Sequence, residues 1–75
     1  MIKVGLDIGN SKISCVVCDI KSDNSKKILA FTSTPTNCVK KSIITDLEKI
    51  KIEINDTIVR AAKESQTKIL SINLN

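Results

Sequence analysis

An α/β fold is predicted for this chain of 75 residues from three observations. Alternating and apolar segments predict three successive strands within residues 2–34. A segment with helical periodicity follows from residue 45 to residue 68, and a last apolar run covers residues 69–74. Short turns make the first three strands antiparallel neighbours, whereas a helix between two strands places the last strand parallel to the first.

The first strand, residues 2–8, has the clearest pattern, with one apolar face and one face of low bulk. The apolar face consists of Ile2, Val4, Leu6 and Ile8. On the other face, Gly5, Asp7 and Gly9 leave little side-chain volume, which is typical of strands that a ligand or another backbone approaches closely. Gly9 and Asn10 then predict a turn.

The next two strands are predicted at residues 12–21 and 27–34, joined by a turn at residues 22–25. Residues 12–21 are apolar on both faces, which is typical of a central strand covered on both sides. Pro35 interrupts the pattern, and Ile43 and Ile44 predict a further short strand.

The helix is predicted to begin at a capping box formed by Thr45 and Glu48. Its apolar residues fall within an arc of about 120° at helical spacing. Ile52 and Val59 lie outside that arc, so we expect the helix to contact a second neighbour. The helical pattern ends at Lys68 without a glycine cap. The residues of the main arc are Leu47, Ile50, Ile54, Ile58, Ala61, Ala62 and Ser65.

The length and composition restrict the class of protein. A chain of 75 residues makes one domain at most and is too short for a two-lobed enzyme with a nucleotide cleft. The net charge of +4 comes from scattered lysines, and one Phe is the only aromatic residue, so we expect no nucleic-acid partner. No apolar run approaches the ~20 residues of a membrane span, and Asp7 interrupts the first apolar stretch, which argues against a signal peptide.

Three cysteines require an interpretation, because Cys15 and Cys18 form a C-x-x-C spacing. On a strand, residues three apart point to opposite faces, and the chain has no histidine to complete a zinc site. We therefore expect Cys15, Cys18 and Cys38 to be buried, reduced thiols of a cytoplasmic protein.

The order β-β-β-(β)-α-β is that of the opening half of a ribonuclease-H-like sheet. Its single helix covers one face, and its last strand has no further cover. We therefore expect residues 1–75 to form an incomplete half domain of a truncated chain.

The candidate site follows the first strand, in residues 7–12. A carboxylate at the end of an apolar strand is costly unless it is paired, solvated or bound to a cation. Exposed amides after Gly9, the short side chains of Asn10 and Ser11 and the charge of Lys12 suit a phosphate with its Mg²⁺. An ordinary Gly-Asn hairpin turn with a solvated Asp7 is the alternative interpretation.

The run Asp7-Ile8-Gly9-Asn10-Ser11 matches the D-x-G-x-[ST] phosphate loop of the actin and sugar-kinase ATPase superfamily. Three stretches further resemble the N-terminal segment of the FtsA family of bacterial cell division proteins. These stretches are VGLDIGNSKISCVVCDI, VKKSIITDLEKIKIEI and ILSINLN, and the resemblance covers essentially the whole chain.

The resemblance implies an actin-like ATPase fold, with ATP bound by Gly9, Asn10, Ser11 and Lys12 and Mg²⁺ held through water by Asp7. It also implies self-association, a partner in FtsZ and a place on the cytoplasmic face of the inner membrane, reached through a C-terminal helix beyond Asn75. We expect no ATPase activity and weak or no ATP binding from these residues alone.

The second stretch of the resemblance departs from the family at two positions. Lys40 and Lys41 match its basic pair, but Cys38 and Ser42 stand where the family usually has glycine. In the phosphate loop, Asn10 replaces the usual Thr, a mild change because both side chains can donate a hydrogen bond.

Three other classes fit parts of the sequence. A metal-dependent nuclease of the ribonuclease H or resolvase kind would use Asp7 with Glu48 or Glu53, although Asn73 and Asn75 stand where a further carboxylate is needed. A type III pantothenate kinase shares the D-x-G-N-[ST] turn. A small interaction module would pair its last strand with a partner.

Overall fold

The computed structural model describes residues 1–41, 43–66 and 73–74. The elements follow the predicted order, except that the single short strand predicted at Ile43 and Ile44 is paired with a further short strand, Val39–Lys40, that was not predicted. They are β1 (Ile2–Ile8), β2 (Lys12–Ile20), β3 (Lys26–Pro35), β4 (Val39–Lys40), β5 (Ile43–Ile44), α1 (Leu47–Ser65) and β6 (Asn73–Leu74).

The main sheet has the strand order β3-β2-β1-β6. β1 and β3 are both antiparallel to the central β2, while β6 is parallel to β1, with Asn73 opposite Gly5. The predicted α/β half domain is confirmed: three antiparallel strands and a helix that leads to a parallel strand. The predicted strand residues 69–72 lie outside the described part of the chain.

The apolar core lies between α1 and one face of this sheet, which we call the covered face. Leu6, Cys15 and Thr32 occupy one cross-strand row on this face and are all buried. Thr32 donates its hydroxyl to the carbonyl of Thr57 on α1, at 2.8 Å. The buried apolar residues of the core are Val4, Leu6, Ile13, Cys15, Val17, Ala30, Cys38, Val39, Ile50 and Ala61.

The opposite face, which we call the open face, carries the intervening residues of the same strands. Val16 and Cys18 of the central strand are only half-buried there, and Ile28 and Phe31 are exposed. The prediction that this strand is covered on both sides is therefore wrong for the described residues, because α1 packs on one side only.

The start of α1 differs from the predicted capping box. The N-cap is Asp46, whose carboxylate accepts a hydrogen bond from the Lys49 N–H at 3.0 Å. Thr45 does not cap the helix, because its hydroxyl donates to the carbonyl of Cys38. Glu48 lies in the first turn, where its negative charge favours the helix N-terminus.

The last residue of α1 and the exposure of its apolar side chains also differ from the prediction. The helix ends at Ser65, with Gln66 in the left-handed conformation as C-cap. Leu47, assigned to the apolar arc, is 56% exposed, whereas Thr57 is fully buried. Ile52 and Val59 are 71% and 41% exposed, so no described residue covers the predicted second contact face.

The three cysteines are free thiols. Cys15 and Cys38 are buried, and burial raises the pKa of the Cys15 thiol. Cys18 is half-buried on the open face, so Cys15 and Cys18 lie on opposite sides of the sheet.

Candidate functional site

The turn between β1 and β2 is tight. The Gly9 N–H donates to the carbonyl of Lys12 at 3.0 Å. A Cβ atom at Gly9 would lie 3.3 Å from that carbonyl oxygen, closer than backbone atoms normally allow. Glycine therefore lets the turn close, and its own N–H is used in that closure, so it is not one of the exposed amides expected in the turn.

Asp7 lies at the carboxyl end of β1 on the open face, and its side chain is exposed. Gly5 and Gly9 flank it on the same side of the strand, so no side chain of β1 stands beside the carboxylate. Lys12 belongs to the same face, because Ser14, two residues further along β2, pairs with Asp7. The strand register thus places Asp7 and Lys12 on one face of the sheet, beside the turn.

Ser14 brings a hydroxyl group to the site and was not predicted from the sequence as a site residue. It lies directly opposite Asp7 in the strand register and is half-buried. Counting outward from the Ile8–Ile13 pair that flanks the turn would have placed it there.

The other side of the turn borders a pocket of about 300 Å³, at the lower end of the range for small-ligand sites. The β1–β2 turn supplies one side of it and the β4–β5 hairpin the other. The predicted site is therefore divided: Asp7 and Lys12 belong to the open face, Asn10 lines the pocket, and the backbone of Gly9 borders both. The lining residues are Ile8, Gly9, Asn10, Val39 and Ile44.

Ser11 is held by its backbone. Its carbonyl accepts a hydrogen bond at 2.9 Å from the N–H of Thr36, which follows β3. The Ser11 side chain is exposed, as are those of Asn10 and Lys12. This contact ties the predicted phosphate turn to the segment that leads into β4.

The segment with the basic pair forms the β4–β5 hairpin, in which Val39 pairs with Ile44 and Lys40 with Ile43. Lys40 and Lys41 are exposed, and Lys41 has a positive φ of 50°, a conformation that glycine adopts more readily. Cys38, at one of the positions where the family usually has glycine, is 1% exposed. Ser42 lies outside the described residues.

The carboxylates proposed for a nuclease do not meet. Glu53 lies on α1 and accepts a hydrogen bond from the Thr36 hydroxyl on the covered side, whereas Asp7 belongs to the open face. Within residues 1–41 and 43–66, no three His, Cys, Asp or Glu side chains are grouped closely enough to hold a metal ion. Asp7 is exposed and is not part of any such group among these residues.

The fold has relatives among solved structures. The crystal structure of a ROK hexokinase from Thermus thermophilus matches 99% of this chain with a TM-score of 0.71 and 27% sequence identity. The chain spans only 21% of the hexokinase chain. These residues form a part of the fold of the sugar-kinase and actin-like ATPase superfamily.

The other comparisons are negative. No protein-family model matches the sequence, and no curated protein matches it. Among the described residues, no helix is both long and apolar enough to cross a membrane.

Proposed function

We propose that these residues form the first phosphate-binding segment of an ATP-binding, actin-like cell division protein of the FtsA type. The observation that carries the proposal is the arrangement of Asp7 and Lys12 on one side of a turn that only glycine closes without crowding. Opposite charges on an exposed, unobstructed surface suit a phosphate chain together with its cation.

Each residue has a definite role in this proposal. Lys12 would neutralise phosphate charge, and Gly9, Asn10 and Ser11 would form the turn along which the phosphates lie. Asp7 would hold Mg²⁺ through water, and Ser14, opposite Asp7, would orient one of those waters. Magnesium keeps several waters when bound to a single protein carboxylate, which agrees with one exposed aspartate.

Two observations favour the cell division type over a sugar kinase. The hairpin at Val39–Ile44 coincides with the second stretch of the resemblance to FtsA. The pocket beside the turn is lined by Ile8, Val39 and Ile44, whose aliphatic side chains suit a polyhydroxylated hexose poorly. The likeness to the hexokinase favours the second candidate, a sugar kinase.

The proposed protein as a whole would self-associate, bind FtsZ and hold it at the cytoplasmic face of the inner membrane, and it would not bind nucleic acid. The chain spans 21% of the hexokinase that it resembles, so we expect no ATP hydrolysis from these 75 residues. The sequence leaves both weak and absent ATP binding open; of the two, we propose weak binding of Mg-ATP at the β1–β2 turn.

The phosphate site can be tested by titrating the isotope-labelled chain with millimolar Mg-ATP and following its amide NMR signals. We expect the signals of residues 9–12 to shift, with a smaller response in Asp7→Asn. The matched control is Asp56→Asn, which removes an exposed carboxylate that pairs with Arg60 one helical turn away. Equal responses from both variants, or no shift at residues 9–12, would contradict the phosphate site.

Chimeras distinguish the two candidate functions. Residues 1–75 would replace the equivalent segment in an FtsA and, separately, in a ROK hexokinase. We expect the FtsA chimera to keep ATP binding and FtsZ binding, and the hexokinase chimera to lose hexose phosphorylation. An active hexokinase chimera beside an inactive FtsA chimera would favour the sugar kinase.

A further inference from the structure

Thr36 connects the predicted phosphate turn to both neighbouring elements. Its N–H donates to the Ser11 carbonyl at 2.9 Å, and its hydroxyl donates to the Glu53 carboxylate of α1 at 2.6 Å. The same hydroxyl accepts the N–H of Cys38, at 3.2 Å, just before β4. One residue thus contacts the turn, the helix and the hairpin that borders the pocket.

The hydrogen bonds of Thr36 lie in a buried environment. Thr36 is 9% exposed, and Cys38, which donates its thiol to the same Glu53 oxygen at 3.3 Å, is 1% exposed. Hydrogen bonds to a charged acceptor are about twice as strong as neutral ones, and burial makes the loss of either partner costly. The hydroxyl has a donor role and an acceptor role at once, so its rotation is fixed.

We propose that Thr36 is a positioning residue that couples phosphate binding at the β1–β2 turn to helix α1 through Glu53. This inference rests on the proposed phosphate site and extends it by assigning a route to the helix. Ser11 and Thr36 form the first link, and Thr36 and Glu53 form the second.

The physical basis is the polarity of the peptide unit between Ser11 and Lys12. Its carbonyl accepts from Thr36, and its N–H belongs to Lys12, a residue proposed to meet the phosphates. An anion at the Lys12 end of this unit polarises the carbonyl and strengthens its bond to Thr36, because hydrogen bonds in series reinforce one another. The Thr36 backbone then moves with the turn. Because its hydroxyl donates to the Glu53 carboxylate, the Glu53 side chain moves as well.

The test is an amide NMR titration of the whole 75-residue chain with Mg-ATP, reading the turn and the helix separately. In the unchanged protein we expect the amides of Ser11 and Lys12 to shift together with those of Glu53 and Cys38. The amide of Lys21, at the opposite end of the sheet, serves as the internal reference and is expected to stay in place.

Variants then identify the link. Thr36→Val keeps the backbone N–H but removes the hydroxyl, so we expect the Glu53 response to fall by at least half and the affinity for Mg-ATP to fall about fivefold, the equivalent of one hydrogen bond. Thr36→Ser restores the hydroxyl and is expected to restore both quantities. If Thr36→Val does not fold, Glu53→Ala removes the same bond from the helix side, with Glu53→Gln as the conservative control.

Each outcome decides between the two proposals. Shifts at the turn without shifts at Glu53, or a Glu53 response that survives Thr36→Val and Glu53→Ala, would overturn the coupling and leave the phosphate site standing. No shift at the turn would overturn the phosphate site and the coupling together. A merely structural role for Thr36 predicts a lower melting temperature in Thr36→Val with an unchanged Glu53 response, which also counts against the coupling.

Discussion

Asp7 and the two glycines on its side of β1 illustrate how small residues shape the candidate site. Gly9 is required by the turn, because a Cβ atom there would press on the Lys12 carbonyl oxygen, at 3.3 Å. At Gly5 a Cβ atom would meet the Val16 side chain at 3.4 Å, an ordinary contact. The two glycines therefore have different roles, although both leave Asp7 unobstructed.

We predict that Gly9→Ala lowers the free energy of unfolding by about 1 kcal/mol, because a rigid backbone atom must move. Gly5→Ala is the matched control and is expected to be neutral or stabilising by up to about 1 kcal/mol, because alanine restricts the unfolded chain. Urea denaturation of both variants measures the difference. A larger loss in Gly5→Ala than in Gly9→Ala would contradict the described turn.

Asp19 provides a prediction about pH. Hydrogen bonds from Lys21 and from the N-terminal ammonium group, with their positive charges, lower the pKa of its carboxyl from 3.8 to about 2. A carboxyl with a lowered pKa stabilises the folded state above its unfolded pKa, and this contribution disappears as the pH falls towards the folded value. The relevant window is therefore between about pH 4 and pH 2.

We expect the unfolding midpoint in urea to be higher for the unchanged protein than for Asp19→Asn at pH 5. The gap should close at pH 2, where the carboxyl is partly protonated, and high salt should reduce it because the pair is exposed. A gap of the same size at both pH values would show that the ionised carboxylate does not stabilise the fold.

At the scale of the elements, the strands were predicted accurately because alternation is a local property of the sequence. The residues of β1 agree with the prediction, β2 is one residue shorter than predicted, and β3 is one residue longer at each end. The helix cap was wrong because Thr45 and Asp46 can both cap, and the outcome depends on a distant contact of Thr45 with the Cys38 carbonyl.

The burial of Thr57 shows a second limit of prediction from the sequence. In a sequence, a threonine among apolar helix residues suggests an exposed polar position. Thr57 is nevertheless buried, because its hydroxyl hydrogen-bonds with Thr34 and its carbonyl accepts a hydrogen bond from Thr32. These partners belong to β3, so only the register between helix and sheet reveals them. The position of Ser14 opposite Asp7 was missed for a similar reason, because it depends on the strand register.

The two sides of α1 give a matched pair of substitutions. Ile50 is 1% exposed in the core, and Ile52 is 71% exposed on the far side of the helix. We predict that Ile50→Val lowers the free energy of unfolding by about 0.5–1.5 kcal/mol, whereas Ile52→Val changes it by less than about 0.5 kcal/mol. Equal losses, measured by thermal or urea unfolding, would mean that the outer side of α1 is also buried.

At the scale of the whole molecule, the sheet is covered by α1 on one side, while Ile28 and Phe31 are exposed on the other. The superfamily was predicted from a turn of five residues and from the element order, and the likeness of the fold to the hexokinase supports the superfamily. The sequence alone did not predict that Asp7 and Lys12 lie on the open face while Asn10 lines a pocket, because this division depends on how the elements pack in three dimensions.

The β1–β2 turn is proposed to bind nucleotide phosphates with their metal ion at Asp7. The most direct test of this proposal replaces Mg²⁺ by paramagnetic Mn²⁺ in the ATP complex and records which amide signals broaden. We predict selective broadening at residues 7–12 and intact signals at residues 21–26, at the opposite end of the sheet. Equal broadening at both ends, or broadening confined to residues 21–26, would contradict the claim.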